Sequence, residues 1–263
     1  MSTTVPSSAM SPGTANIGAA PAALAFDHIS MTFPDGTHAV DDVSFDVVPG
    51  EFVTVVGPSG CGKSTLLRIA SGLTAQSSGT VRVDRDDLGY VFQDPTLLQW
   101  RTVRGNVELI AELHGISKAE RRQRADDAIK LVGLAGAEKK YPKQLSGGMR
   151  MRASLARSLV MKPKVFLFDE PFAAVDEITR ERLNDELMRL FSLEHFAGLF
   201  ITHSISEAVF LSTRVLVMSA RPGHIVGEFA VPFPYPRLPE LRFEPAFAEL
   251  SGEVSRVLRE AHG

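Results

Sequence analysis

From residue 25 the apolar positions fall into short alternations. Ile29, Met31 and Phe33 alternate with polar residues, Pro34-Asp35-Gly36 supplies a turn, and Val43, Phe45 and Val47 alternate again, which predicts an antiparallel β start. The apolar run Phe52–Val56 then reaches Gly57, and Leu66, Leu67, Ile69 and Ala70 follow at helical spacing as far as Gly72. That is strand, glycine-rich loop, helix. Residues 165–168 and 199–202 are two further apolar strands that end in polar residues and lead into helical stretches, the pattern of a mostly parallel sheet covered on its faces. The helix after Asp176 carries Leu183, Leu187, Leu190 and Phe191 on one side. Ser204 and Glu207 read as a capping box at the start of the next helix, and Ser117 and Glu120 as another ahead of the stripe Ala125, Ala128, Ile129 and Val132. An all-helical insertion therefore occupies about 95–160, between the strands. The chain shows no internal repeat and no heptad array.

Length and composition narrow the picture. With 263 residues the chain is long enough for a full core, and 28 Lys+Arg against 31 Asp+Glu leaves a net charge of −3. A protein that coats nucleic acid carries more positive excess, so no nucleic-acid partner is expected. No run approaches the roughly 18 apolar residues of a membrane helix, so association with a membrane is expected to be peripheral. Cys61 is the one cysteine, which excludes an intrachain disulfide and a thiolate-rich zinc site and fits a reducing compartment. Residues 1–24 have no charged side chain, are rich in Ser, Ala, Pro, Thr and Gly, and lack the basic start and apolar core of a signal peptide. They are expected to be a disordered tail, followed by one large domain over 25–232 and a C-terminal extension over 233–263 that runs from a Pro-rich linker into a helix.

Three stretches carry chemistry. Gly57, Pro58, Ser59, Gly60, Cys61, Gly62, Lys63, Ser64 and Thr65 match the phosphate-binding loop. Its glycines let several backbone N–H groups point inward, and the following helix adds the positive end of its dipole. Lys63 would sit on the β and γ phosphates and Ser64 on Mg²⁺. In VFLFDE a buried strand delivers Asp169 and Glu170 to the sheet edge where parallel sheets bind ligands. Asp169 can hold a metal through water, and Glu170 can polarise the attacking water as a general base. In LSGGMRMR, Ser146 reads as an N-cap and Gly147 and Gly148 bare the amides of the first turn, a second anion site in the same chain.

GPSGCGKST, YVFQD with Gln93, LSGGMRMR, VFLFDEP, AAVDE and FITHS with His203 stand in an order and spacing that resemble the ATP-binding subunits of ABC transporters over residues 25–230. Within them the chain is most similar to importer ATPases of the nitrate, sulfonate and taurine group, through VFQDPTLLQW, EPFAAVDE, THSISEAVFLSTRVLVMS and ELRFEPAFAEL. The resemblance implies an α/β P-loop ATPase with a mostly parallel RecA-like core, an N-terminal antiparallel β subdomain and an inserted α-helical subdomain. It implies that Phe33 stacks on adenine, that Gln93 touches Mg²⁺ and water, that Asp176 links the two sites of a dimer and that His203 senses the γ-phosphate. Ser146, Gly147 and Gly148 would contact ATP held by the opposite subunit. ATP and Mg²⁺ are the expected ligands. The expected partners are a second copy, a membrane permease docked near Leu97, Leu98 and Trp100, and, indirectly, an extracytoplasmic solute-binding protein. The expected location is the cytoplasmic face of the inner membrane.

Some positions depart from the family pattern. Met149 replaces a more general Gln, Gln99 a proline, Ser204 an acid and Ala173 a Ser or Gly, while residues 81–90 are short and suggest a trimmed hairpin. None removes a catalytic group. The cluster Leu97, Leu98 and Trp100 reads equally as core of the helical insertion. Between 101 and 152 Lys and Arg outnumber Asp and Glu two to one, a solvated face that also suits anionic headgroups. Cys61 in the loop predicts that a bulky thiol reagent blocks nucleotide binding. The alternatives are an exporter ATPase or a non-transport ATPase of DNA repair or translation. Zinc cysteines, a long coiled coil and a second cassette, the marks of the non-transport members, are missing from the sequence.

Overall fold

The five residues Phe52–Val56, four of them apolar, form β3, an inner strand of the larger of two sheets, and all five are buried. Side chains alternate across a strand, so Phe52 and Val56 join one core and Val53 and Val55 another, on the opposite face. The one polar residue among them, Thr54, accepts a hydrogen bond from Ser212 Oγ. The computed structural model describes residues 21–261. Residues 1–20 of the expected tail lie outside the described residues, and Leu24, expected at its end, is instead fully buried as the first residue of a strand.

That strand, β1 (Leu24–Thr32), pairs antiparallel with β2 (His38–Val47) on one side and β4 (Ser78–Val83) on the other, giving a three-stranded sheet of order β2-β1-β4. Phe33 is already past β1, in the turn where Thr37 N donates to Asp35 Oδ1. The larger sheet runs β5 (Leu88–Val91), β6 (Val165–Asp169), β7 (Ala197–Thr202), β3, β8 (Arg214–Met218), β9 (Ile225–Ala230). Its first five strands are parallel and β9 is antiparallel. The hairpin expected over 81–90 is absent: β4 pairs with β1 and β5 with β6, so the segment crosses between sheets through a 3-10 turn at Arg85–Asp87.

Helix α1 (Lys63–Ala70) packs between the two sheets, with Leu66, Leu67 and Ile69 in the core they share. The helical insertion contains α2 (Val103–Val107), α3 (Leu109–Leu113), α4 (Lys118–Leu131) and α5 (Gly147–Leu159). As the periodicity predicts, Ala125, Ala128, Ile129 and Val132 are buried. Helix α6 (Glu177–Glu194) likewise buries Leu183, Leu187, Leu190 and Phe191, the last edge-on to Phe52 at 5.2 Å. Then come α7 (Ile205–Leu211) and α8 (Pro245–Glu260). Both expected capping boxes are half formed. Ser117 Oγ and Ser204 Oγ accept from the amides of Glu120 and Glu207, but the carboxylates turn away, Glu120 to Arg124 and Glu207 to Thr202. No helix among the described residues is long and apolar enough to cross a membrane.

Candidate functional site

The loop between β3 and α1 curls because glycine permits it. Gly62 has φ +106, and a Cβ there would stand 2.7 Å from Ala39 O. The N-terminal end of α1 thus opens onto a cavity of about 170 Å³ lined by Phe33, Gly60, Gly62, Lys63, Ser64, Thr65, Glu170 and Arg221. Lys63 is only 4% exposed, and its Nζ donates to Gly57 O and Pro58 O, each at 2.8 Å. The same ammonium reaches Cys61 Sγ at 3.8 Å. The Cys61 thiol is buried in the core between the sheets, so a reagent has no direct approach to it in this conformation.

The carboxyl end of β6 closes the cavity. Ser64 Oγ donates to Asp169 Oδ1 at 2.6 Å, and Tyr90 Oη donates to Asp169 Oδ2 at 3.2 Å. Burial, reinforced by the Asp169 charge, pushes the Tyr90 phenol far above its ordinary value, so it remains a donor. The hydroxyl and carboxylate oxygens of Ser64 and Asp169 are hard donors, the set that Mg²⁺ accepts and softer metals do not select. Among the described residues no group of three or more His, Cys, Asp or Glu gathers as a self-sufficient metal cage. The pair therefore suits an ion that brings phosphate and water oxygens with it.

Glu170 follows in the left-handed region, φ +44, with its N–H given to Ile201 O. The turn aims its side chain towards the end of β7, where His203 Nδ1 lies 3.0 Å from Glu170 Oε2. Behind His203, Thr202 Oγ1 donates to Glu207 and accepts from Ser204 N at 3.0 Å. Burial pushes the Glu207 carboxyl up, against the opposing effects of the Thr202 hydroxyl and Arg180. Arg180 Nε stands 3.8 Å from Glu207, and its Nη2 donates to Val175 O beside Asp176.

Ser146, Gly147 and Gly148 start α5, and Ser146 Oγ caps it by accepting from Met149 N at 3.3 Å. Gly147 lines a separate cavity of about 400 Å³ with Gln93, Arg150 and Val175. Gln93 and the α5 start thus line a cavity of their own, whereas Phe33, Lys63, Ser64 and Glu170 line the one at the phosphate loop, where Asp169 bonds Ser64 and His203 bonds Glu170. Asp176 caps α6, accepting from Thr179 N at 3.0 Å, a bond that holds its carboxyl below the ordinary range. The two readings of the 97–100 cluster divide between its residues: Leu97 is 7% exposed and joins the core, while Trp100 is 74% exposed.

Sequence reasoning passed over several residues. Arg221 Nε and Nη2 both donate to Gly60 O, bracing the phosphate loop from the β8–β9 turn. Arg157, buried on α5, donates to Pro95 O and Thr96 O, and the buried Asn106 bonds Leu98, Arg101 and Thr102, so the loop after Gln93 is held from two helices. Tyr90 had one signal, its place in the YVFQD motif; Arg157 and Arg221 had none, because their partners are 61 and 161 residues away. A cavity of about 730 Å³, lined by Arg124, Leu131, Lys162 and His195 among others, touches none of these groups.

Residues 40–173 match the family model described as ABC transporter. Over 238 residues the chain is 42% identical to a putative ATP-binding protein of Brucella abortus, covering 88% of this chain and 91% of that one. It is 41% identical over 252 residues to the taurine import ATP-binding protein TauB of Rhizobium johnstonii, covering 89% and 96%. It is 42% identical over 234 residues to the nitrate import ATP-binding protein NrtD of Synechocystis, covering 84% and 88%. Among solved structures, a dimeric ATP-binding cassette, MJ0796, in a post-hydrolysis state bound to ADP and Pi is similar with a TM-score of 0.70 and 30% identity, over 80% of this chain and 99% of that one.

Proposed function

The chain belongs to the ABC transporter family, as a dimerising, ATP-hydrolysing subunit that couples energy to import through a membrane permease, and from that premise we propose which residues do the work and what is carried. The imported solute is nitrate, a sulfonate, taurine or a related small molecule, in keeping with relatives named for taurine and nitrate import. An extracytoplasmic binding protein delivers it, and this subunit sits on the cytoplasmic face of the inner membrane.

Phe33 stacks on adenine, while the amides of 57–65 and the Lys63 ammonium take the β and γ phosphates. Ser64 and Asp169, with Gln93, would hold Mg²⁺, which would supply positive charge to offset that of the phosphates. Glu170 accepts a proton from the attacking water as that oxygen bonds to the γ-phosphorus and the bond to the β-phosphate oxygen breaks, releasing ADP. His203 orients this arrangement from 3.0 Å away. Ser146, Gly147 and Gly148 reach the γ-phosphate of ATP bound by the other copy, so two ATP molecules close a head-to-tail dimer and hydrolysis lets it open. The helical insertion carries this movement to the permease, which docks beside Trp100.

The observation that carries the reading is the convergence, at the mouth of the phosphate loop, of the Ser64–Asp169 pair with the Glu170–His203 pair. The test is growth of a strain lacking this subunit on taurine or alkanesulfonates as sole sulfur source and on nitrate as sole nitrogen source, complemented with wild type or Glu170→Gln. A defect on one nutrient rescued by wild type alone supports the proposal. Normal growth on all of them, or rescue by Glu170→Gln, overturns it.

A further inference from the structure

Helix α7 is seven residues long and begins directly after His203 and its capping Ser204. Freedom in so short a helix is freedom in the imidazole. Its last carbonyls, Val209, Phe210 and Leu211, belong to the group that a helix leaves without internal partners. The chain beyond residue 232 returns to take all three. Arg237 Nη1 donates to Val209 O at 3.0 Å and to Phe210 O at 2.8 Å, and Tyr235 Oη donates to Leu211 O at 2.6 Å. Two of the remaining guanidinium N–H groups are used as well: Nε and Nη2 donate to Phe233 O at 3.1 and 2.8 Å.

Arg237 is 6% exposed, and its guanidinium lies 4.2 Å from the centroid of the Tyr235 ring. Tyr235 in turn packs edge-on against Phe191 of α6 at 5.0 Å, and Phe233 stacks on Phe247 of α8 at 6.1 Å. A second cation repeats the connection: Arg242 stands 3.5 Å over the Phe210 ring and donates to Asp185 of α6 at 3.0 Å. Burying a cation is costly unless it is well bonded, and apolar side chains attach a terminal helix at lower cost. Here the cation is set where the dipole of α7 ends negative, and the guanidinium bonds two ways at once: Nη1 takes two successive carbonyls of α7 while Nε and Nη2 clamp Phe233 O of the extension.

We propose that Arg237 is a positioning residue for ATP hydrolysis: by closing the C-terminal end of α7 it holds His203 against Glu170, so the C-terminal extension is a working part of the hydrolytic site. The proposal rests on the reading of Glu170 and His203 as the hydrolytic pair.

Steady-state ATP hydrolysis by the full chain tests it, with the thermal melting of each variant recorded alongside. Arg237→Gln is expected to lose about tenfold in kcat with KM for ATP within about twofold of wild type, because the phosphate loop is built on α1 and not on α7. Arg237→Lys, a single point donor in place of a fork, recovers part of the loss. Tyr235→Phe removes one hydroxyl and keeps the packing on Phe191, so it carries the test if Arg237→Gln does not fold; about a threefold fall in kcat is expected. In a His203→Ala background Tyr235→Phe should cost nothing more. A folded Arg237→Gln chain with unchanged kcat, a KM that rises in step with the loss, or full additivity with His203→Ala overturns the proposal. Wild-type turnover by His203→Ala alone marks a different failure, that of the hydrolytic pair itself, and removes the proposal with it.

Discussion

Replacing Tyr90 with Phe deletes one oxygen atom from the site and leaves the ring in place, stacked on Phe92 at 4.1 Å. Asp169 is 9% exposed, with Oδ1 taken by Ser64 and Oδ2 by Tyr90. The deletion leaves a largely buried carboxylate oxygen without its donor, a cost of about 1–3 kcal/mol. At 3.2 Å the bond is long for O–H···O, which puts the expected loss near the bottom of that range, about 1 kcal/mol. For a chain of this size that is a fall of about 2–4 °C in melting midpoint. The assay is a double-mutant cycle, with urea unfolding of wild type, Tyr90→Phe, Asp169→Asn and the double variant. The partner is a charge in the wild type and a neutral amide in Asp169→Asn, so the Tyr90→Phe cost should drop by about half in the second background. An equal Tyr90→Phe cost in the two backgrounds would refute the coupling, and with it the assignment of Tyr90 as the group that fixes the Asp169 carboxylate. ATP hydrolysis by Tyr90→Phe should fall while KM for ATP holds, since the Ser64–Asp169 contact and the Lys63 loop are untouched.

Glu170→Gln keeps the shape of the side chain and removes its basicity. Turnover should fall by about 10²–10⁴ while ATP still binds and drives dimerisation, read by a radiolabel assay and by gel filtration; brisk hydrolysis would reject Glu170 as the base. Burial raises the folded-state pKa of Glu207 above its ordinary 4.5, so its contribution to stability is fully present below that value and is lost as pH rises through the folded one. Glu207→Gln should therefore be as stable as wild type or more so at pH 7 and lose less stability between pH 4.5 and 8; melts across that window showing the same slope for both proteins would refute this. Trp100→Ala removes a side chain that is 74% exposed, so the melting midpoint should stay within about 1 °C while co-purification with the permease is lost. Undiminished co-purification would move the docking surface elsewhere.

Most of what could be read from the sequence was local. Strand β3, the loop of 57–65 and helix α1 are neighbours along the chain, and the loop motif, the apolar run and the helical spacing all point to the same turn of backbone. The stripes on α4 and α6 were legible for the same reason, since a 3.6-residue period is written in adjacent positions. What sequence reading missed depends on partners that chain distance hides. The hairpin expected over 81–90 failed because short polar-flanked strands look alike, and pairing to β1 or to β6 decides which sheet each enters. The capping boxes formed only in half because Thr202 and Arg124 compete for the two glutamates, and neither competitor is part of the box pattern.

The long-range partners that sequence reading missed share one chemistry, and this explains their place around the site. Arg157, Arg221 and Arg237 each give two guanidinium N–H groups to backbone carbonyls of a loop or helix end: 95 and 96 after Gln93, 60 in the phosphate loop, 209 and 210 beyond His203. Loops that must hold a phosphate or a permease cannot also satisfy their carbonyls within regular structure, so the scaffold supplies donors from a distance. A carbonyl accepts from any donor, so nothing in the loop's own sequence specifies which arginine will come. The groups proposed for catalysis can therefore be read from motifs, whereas the arginines that hold the motifs in register become visible only when the chain is folded. Substitution of any of the three is expected to lower kcat for ATP before it alters the fold of the sheet that carries the site, and circular dichroism beside the hydrolysis assay separates the two effects; a loss of β signal that precedes the loss of turnover would refute the distinction.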